Sequence, residues 1–283
     1  MYPSPATPVV DAHQQFWALR RDDYFWLQPG TPLYRDFQPV DLAPLLAAAG
    51  VQHTVLVQTT NSVSETRYLL EMANDTEFVA GVVGWVDMLS STVYQQLGVL
   101  DRHPKFLGVR PMLSEIRDPE WMLDPALDGA FRELISRRLC VDAMLTPRHL
   151  PTLLTLLRRY PELRVVVDHA ARPRIRERDL GGWRQDISAI ARETGAYCKL
   201  SGLPNEAGEN WRFEDLEPYM DHLLGCFGSE RLMWGSDWPT LDLHGGYQRW
   251  WEATWRFLER LGLRGQEAIL GGTAVRFYGL ALG

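Results

Sequence analysis

The amino-acid sequence predicts an α/β protein of the (β/α)8 class, a TIM barrel, and three observations support this prediction. Short apolar runs alternate with longer segments of helical periodicity along the whole chain. The runs are rich in Val, Leu and Met, which is typical of strands buried on both faces of a parallel sheet. Eight such runs are present, and 283 residues is an ordinary length for one barrel domain.

The eight predicted strands are spread from the beginning of the chain to its last fifth. They cover residues 8–13, 54–58, 79–87, 107–112, 141–145, 164–169, 197–203 and 232–237. An open doubly wound sheet is the competing architecture, and it usually has a glycine-rich phosphate turn after its first strand. Here the first strand is followed by Gln14-Gln15-Phe16-Trp17, which favours the barrel.

Seven helices are predicted between these strands from apolar residues at helical spacing. They cover residues 41–49, 64–72, 124–138, 149–159, 183–194, 213–227 and 246–261. Four of them stop at Gly50, Gly195, Gly228 and Gly262, and glycine is the usual residue just past a helix. The long loop 16–39 carries Trp26 and other aromatic residues, and we expect it to form one wall of a cleft.

Composition excludes several classes of protein. The net charge is -7, and no basic cluster is long enough to follow a phosphate backbone, so we expect no nucleic-acid partner. No stretch approaches the roughly 20 apolar residues of a membrane span. Three scattered cysteines without a CxxC motif predict a reduced, cytoplasmic protein. We expect one domain over residues 1–283, with residues 1–8 as a flexible N-terminal extension.

Polar residues end several of the predicted strands. Because functional groups of a barrel lie at the carboxyl ends of its strands, we expect these side chains to converge on one mouth. The residues concerned are His13, Gln15, Arg110, Asp168, His169, Lys199, Ser201, Ser236 and Asp237.

Several of these positions lie in motifs that resemble the amidohydrolase superfamily. Asp11-Ala12-His13-Gln14-Gln15 resembles its first-strand His-x-His signature, Val167-Asp168-His169 its sixth-strand histidine, and Gly235-Ser236-Asp237 its eighth-strand aspartate. Residues 108–112 and 198–203 resemble the amidohydrolase 2 branch, which contains sugar-lactone and pyrone-dicarboxylate lactone hydrolases. The resemblance extends from about Val10 to Tyr278 and implies a hydrolase of carboxylic esters acting on a lactone.

Gln15 departs from the family pattern, which has a histidine at that position. A neutral amide is a weak zinc ligand, so a metal site would be left with His13, His169 and Asp237. The resemblance implies that some lactonases of this branch work without a metal. We therefore expect either no required cofactor or a weakly bound divalent metal, zinc or manganese.

The resemblance also implies roles for the strand-end residues. Asp237 would activate water as general base and return the proton to the leaving alkoxide. His13 and His169 would polarise the carbonyl group. We expect Asp168 to orient its neighbours and Lys199 to form a structural ion pair near the barrel mouth. The predicted substrate-binding residues are Gln15, Trp26, Asn61, Arg110, Met112, Trp121, Met144 and His244.

Two other functions remain open at this stage. One is a decarboxylase or another metal-dependent amidohydrolase acting on a small carboxylated substrate, and Gln15 counts against it. The other is a binding protein that kept the fold and lost catalysis, and the presence of His13, His169 and Asp237 together counts against that. The expected partner is a lactone from carbohydrate metabolism, and a homo-oligomer is possible.

Overall fold

Eight parallel strands form one sheet in the computed structural model, which describes residues 7–282. Residues 1–6 of the predicted extension lie outside the described part. Each strand pairs with the next one along the chain. The strands are β1 (Val10–Gln14), β2 (His53–Val57), β3 (Val79–Gly84), β4 (Phe106–Val109), β5 (Cys140–Ala143), β6 (Arg164–Val167), β7 (Tyr197–Leu200) and β8 (Leu232–Trp234).

The sheet closes between its first and last strands. Gln14 forms a parallel bridge with Trp238, and the backbone amide of Gln15 donates to the Trp238 carbonyl at 2.9 Å. The Asp237 amide donates to the His13 carbonyl at 2.8 Å. These bonds confirm the predicted barrel, and they bring the carboxyl ends of β1 and β8 together.

Helices surround the barrel and join its strands. They are α1 (Pro39–Ala49), α2 (Val63–Asn74), α3 (Val93–Leu100), α4 (Asp128–Ser136), α5 (Leu150–Arg159), α6 (Gly181–Glu193), α7 (Leu203–Ala207), α8 (Phe213–Phe227), α9 (Gly246–Leu258), α10 (Leu263–Glu267) and α11 (Thr273–Tyr278). All seven predicted helices are present. The sequence pattern missed α3, α7, α10 and α11, because helices of five to eight residues carry too few turns to show a period.

Seven of the eight predicted strands were too long at their carboxyl ends, and β1 is the exception. Strand β7 stops at Leu200 instead of residue 203, and β8 stops at Trp234 instead of residue 237. The residues beyond these points are buried like strand residues, so the apolar pattern continues where the ladder of hydrogen bonds has ended. His13 and Lys199 still lie on strands, whereas the other polar residues predicted at the mouth lie on the loops that leave the strands.

Two apolar clusters make up the core. The larger one fills the space between the strands and the outer helices. The smaller one contains strand residues such as Val10, Val55 and Val166 together with Phe277 of α11. In residues 7–282, no helix is both long and apolar enough to cross a membrane.

Candidate active site

Three polar side chains from distant parts of the chain meet at the carboxyl end of the barrel. His13 lies in β1, and His169 and Asp237 closely follow β6 and β8; all three are at most 7% exposed. Asp237 Oδ1 lies 3.7 Å from His13 Nε2 and 3.8 Å from His169 Nε2. The two imidazole rings are 4.4 Å apart between centroids. The predicted convergence of these strand ends is therefore present in the structure.

The backbone at two of these residues is strained. His169 has φ +49° and Asp237 has φ +60°, in the left-handed region that residues with a Cβ rarely adopt. Such strain persists only where the surrounding structure imposes it, and it is concentrated at functional sites. Here the strained turns aim both side chains at His13 soon after their strands end.

Burial determines the charge of the two histidines. It lowers the pKa of each imidazole to about 3, and the neighbouring Lys199 ammonium also lowers that of His13, whereas the Asp237 carboxylate partly opposes the effect at His169. Both rings are therefore neutral near pH 7. His169 Nδ1 is 2.9 Å from Ser201 Oγ, and His13 Nδ1 is 3.1 Å from Lys199 Nζ.

Asn205 hydrogen-bonds only one of the two carboxylate oxygens of Asp237. Its side-chain amide donates to Asp237 Oδ2 at 2.6 Å and lies 3.3 Å from Thr240 Oγ1. Asp237 Oδ1 is then the oxygen that faces the two histidines. Asn205 lies in α7, a short helix that the sequence pattern did not predict.

A cavity of about 250 Å³ opens above this group. Seven predicted site residues line it: Gln15, Trp26, Arg110, Met112, Met144, His169 and Asp237. Below Trp26 the indole of Trp17 packs edge-on, with centroids 5.1 Å apart, so the loop 16–39 does contribute one wall. His13 lies beneath the floor of the cavity, within reach of Asp237.

Three predicted substrate-binding residues are not among those lining the cavity. Asn61 is exposed in the loop between β2 and α2. Trp121 lies in a short 3-10 turn and packs against the hydrophobic core, because its loop folds back over α5. His244 lines a separate surface hollow beside Trp211, whose indole donates to the His244 carbonyl at 2.6 Å. Neither a position after a strand nor an aromatic side chain carried information about the path of each loop.

Sequence reasoning missed seven residues that line the cavity. They are Thr59, Glu115, Arg172, Gly202, Asn205, Glu206 and Thr240. Asn205 and Glu206 follow β7 closely, so extending the search past the strand ends would have found them. Arg172 and Glu206 form an ion pair across this wall at 2.6 Å.

Gln15 and Arg110 share one backbone acceptor. The side-chain amide of Gln15 donates to the Gln58 backbone carbonyl at 3.4 Å, and an Arg110 Nη group donates to the same oxygen. The side-chain amide of Gln58 in turn donates a hydrogen bond to the Arg110 backbone carbonyl at 2.8 Å. Arg110 is 2% exposed, and its Nε has no partner among the described residues, so a donor remains available beside the cavity.

The donor atoms of His13, His169 and Asp237 are also compatible with a divalent metal. One ligand atom from each residue lies within 4.8 Å of the others. His13 Nε2 is buried and has no hydrogen-bond partner among the described residues. Two imidazole nitrogens and a carboxylate oxygen form a ligand set that zinc accepts.

Comparisons with known proteins agree with this architecture. The family model described as amidohydrolase matches residues 10–280. An L-fucono-1,5-lactonase from Burkholderia ambifaria is 44% identical over 275 residues, covering 95% of this chain and 94% of that protein. Another from Burkholderia multivorans is 33% identical, covering 96% of each chain. A crystal structure of a Burkholderia multivorans amidohydrolase with bound zinc is 33% identical, with a TM-score of 0.92 over 97% of this chain and 100% of that one.

Proposed function

The chain belongs to the amidohydrolase family, and we propose that it is a hydrolase that opens the ring of a sugar-acid lactone. L-fucono-1,5-lactone represents the substrate class, since two relatives with matching length carry that activity in their names. The observation that carries the proposal is the meeting of Asp237 and His169, which line a cavity, with His13 just beneath its floor. This arrangement suits a reaction that needs a base and two polar ring N–H groups around one reacting centre.

Asp237 acts as the general base in this proposal. Asn205 holds its Oδ2, so Oδ1 takes a proton from a water molecule. The water oxygen attacks the lactone carbonyl carbon and forms a tetrahedral oxyanion. When that oxyanion collapses, the bond between the carbonyl carbon and the ring oxygen breaks. Asp237 then returns its proton to the leaving alkoxide, and the product is the open-chain hydroxy acid.

His13 and His169 stabilise the oxyanion. Because burial keeps both imidazoles neutral, each can direct one N–H group at the developing negative charge without carrying a charge itself. Arg110 supplies a further donor from its buried Nε. A lactone has a better leaving group than an amide. Its hydrolysis therefore needs less stabilisation of the oxyanion from these donors than amide hydrolysis would need.

The cavity limits the substrate to about one sugar ring. A volume of about 250 Å³ is at or below the small end of ligand pockets, which are typically about 300–1,000 Å³. Trp26, which is 37% exposed, offers an aromatic face to the C–H groups of the ring. Gln15, Glu115 and Glu206 supply polar groups for its hydroxyls.

His13, His169 and Asp237 would hold a divalent metal, and zinc is the metal in the Burkholderia multivorans structure. When bound, such an ion would polarise a carbonyl oxygen as a Lewis acid. We propose that the reaction does not require it. Gln15 supports this view, because its amide is held by the Gln58 carbonyl and a neutral amide adds little to a metal site.

Acid release across a panel of sugar-acid lactones tests the proposal, with and without a chelator. Asp237→Asn keeps the shape of the side chain and removes the base, so we expect turnover to fall by about 100- to 10,000-fold. Asp75→Asn is the matched control, because Asp75 is exposed at the end of α2. Absence of turnover on every lactone, or equal turnover in both variants, would contradict the proposed function.

The domain organisation, location, partners and oligomeric state of the protein remain predictions. We propose a single domain, a cytoplasmic location, no nucleic-acid or membrane partner, and a possible homo-oligomer. Size-exclusion chromatography with light scattering measures the oligomeric state directly.

A further inference from the structure

A cluster of three charged side chains lies beneath His13 inside the barrel. It consists of Lys199 on β7, Asp142 on β5 and Asp168 at the end of β6, and all three are 0% exposed. Lys199 Nζ lies 2.5 Å from Asp142 Oδ2 and 3.0 Å from Asp168 Oδ1. The predicted ion pair of Lys199 therefore exists, but it lies within the barrel and not at its rim.

A contribution to folding stability does not explain why Lys199, Asp142 and Asp168, the buried lysine cluster, lie inside the barrel. Removing an ion from water costs several kcal/mol even in real proteins, and well-packed apolar residues of similar volume often serve as well or better. The residues in register with Asp142 and Lys199 on the next strands are the apolar Val166 and Met233. A cost of that kind points to a task that an apolar side chain could not perform.

The geometry around the ammonium group identifies this task. An ammonium has three N–H bonds and accepts none, and Lys199 has three close neighbours: the two carboxylates and His13 Nδ1 at 3.1 Å. His13 Nδ1 must therefore be the acceptor in that contact. The competing acceptor for a proton on Nδ1 is Asp168 Oδ1, which lies 3.5 Å away, beyond an ordinary hydrogen bond.

We propose that Lys199 is a positioning residue that holds His13 in the tautomer with its proton on Nε2. Nε2 is the ring atom that faces Asp237 Oδ1, at 3.7 Å. His13 then presents a fixed N–H donor to the oxyanion, and the role of this tautomer in catalysis rests on the proposed function. A metal at Nε2 would have to displace that proton, so the same contact weakens the metal site that these residues could form.

The tautomer can be read without substrate by nitrogen NMR of the protein labelled at histidine. The His13 signals are assigned from their loss in His13→Asn. In the unmodified chain we expect Nδ1 to give the signal of an unprotonated nitrogen and Nε2 that of a protonated one. A protonated Nδ1 would overturn the proposal, whatever the lactonase assay shows.

A charge-balanced double variant tests the cause. Lys199→Met with Asp142→Asn removes one positive and one negative charge together, which leaves Asp168 with its Arg110 neighbour at 3.6 Å. We expect the His13 proton to move to Nδ1, where Asp168 is the nearest acceptor. The kcat should fall by about 100- to 1,000-fold, as for the loss of one oxyanion donor, while KM changes little.

Tyr278→Phe is the matched control. Tyr278 donates to Asp142 Oδ2 at 2.8 Å, so its loss disturbs the buried lysine cluster without touching His13. We expect this variant to keep the Nε2 proton and nearly full turnover. A folded double variant that keeps the Nε2 proton would refute the role of Lys199, whereas absent turnover in the unmodified protein would refute only the proposed function.

Discussion

Substituting Gly202 by alanine should displace His169, the proposed oxyanion donor, by a distance that the structure defines. Gly202 immediately precedes α7, and a Cβ at this position would lie 2.6 Å from His169 Nδ1 and 2.7 Å from its Cγ. To reach an ordinary contact of 3.4 Å, the imidazole has to move by about 0.8 Å. Misplacing a catalytic group by roughly 1 Å can cost about 100-fold in rate, so we expect kcat to fall by about that factor.

A second effect of Gly202→Ala must be separated from this one. Gly202 has φ +65°, and an L-residue in that region costs roughly 1–2 kcal/mol. Gly279 has φ +67°, and a Cβ there would meet no atom within 4 Å, so Gly279→Ala carries the same backbone strain without a clash. Both variants should lose a few degrees in Tm, about 2–4 °C per kcal/mol for a chain of this size.

Steady-state kinetics on the sugar-acid lactone that the unmodified protein hydrolyses, and thermal unfolding of both variants, complete the test. Only Gly202→Ala should lose kcat, and the two shifts in Tm should be similar. If both variants retained the same kcat, the position of His169 would not govern the reaction. If both lost it equally, backbone strain and not the imidazole would be the cause.

Three further predictions concern other parts of the molecule. Asn205→Ala removes the bond to Asp237 Oδ2, and because a hydrogen bond to a charged group contributes about 1.5–3 kcal/mol, steady-state kinetics should show kcat reduced by roughly 10- to 100-fold. Trp26→Ala should raise KM by about 3- to 10-fold with little change in kcat, because a ring contact binds the ground state and the transition state alike. Burial lowers the pKa of His149, whose Nδ1 accepts a hydrogen bond from the Thr146 backbone amide. Neutral His149 therefore stabilises the fold above about pH 6.5, the pKa of histidine in the unfolded chain, and this stability is lost as the pH falls through that value. Denaturant unfolding should therefore show that His149→Gln loses less stability on acidification than the unmodified chain, and an equal loss in both would contradict this assignment.

Much of the fold could be read from the sequence because burial leaves a periodic pattern. All eight strands were located, since parallel strands covered by helices are apolar on both faces. Helix α8 was predicted with its observed bounds, because its apolar stripe ends at Phe227 and Gly228 follows. Short helices such as α7 escaped, since one turn or two leave no period to detect.

The candidate site was predictable only where residues sit at strand ends. Barrel topology brings all carboxyl ends of the strands to one mouth, and resemblance to the amidohydrolase motifs then singled out His13, His169 and Asp237. Asn61 was chosen for its strand-end position, Trp121 as an aromatic residue that could form a cleft wall, and His244 for its place after the loop of the eighth strand, yet none of the three is among the residues that line the cavity. The course of a loop depends on its packing against neighbours that are distant in sequence.

Sequence alone therefore determined the barrel, the family and the identity of the three central polar residues, because these follow from local periodicity and from motifs. Tertiary structure decided how those residues are tuned. The contact between Lys199 and His13 joins residues 186 positions apart, and the bond between Asn205 and Asp237 spans 32. Hydrogen-bond direction and desolvation depend on distances of a few tenths of an ångström, which only the packed chain defines.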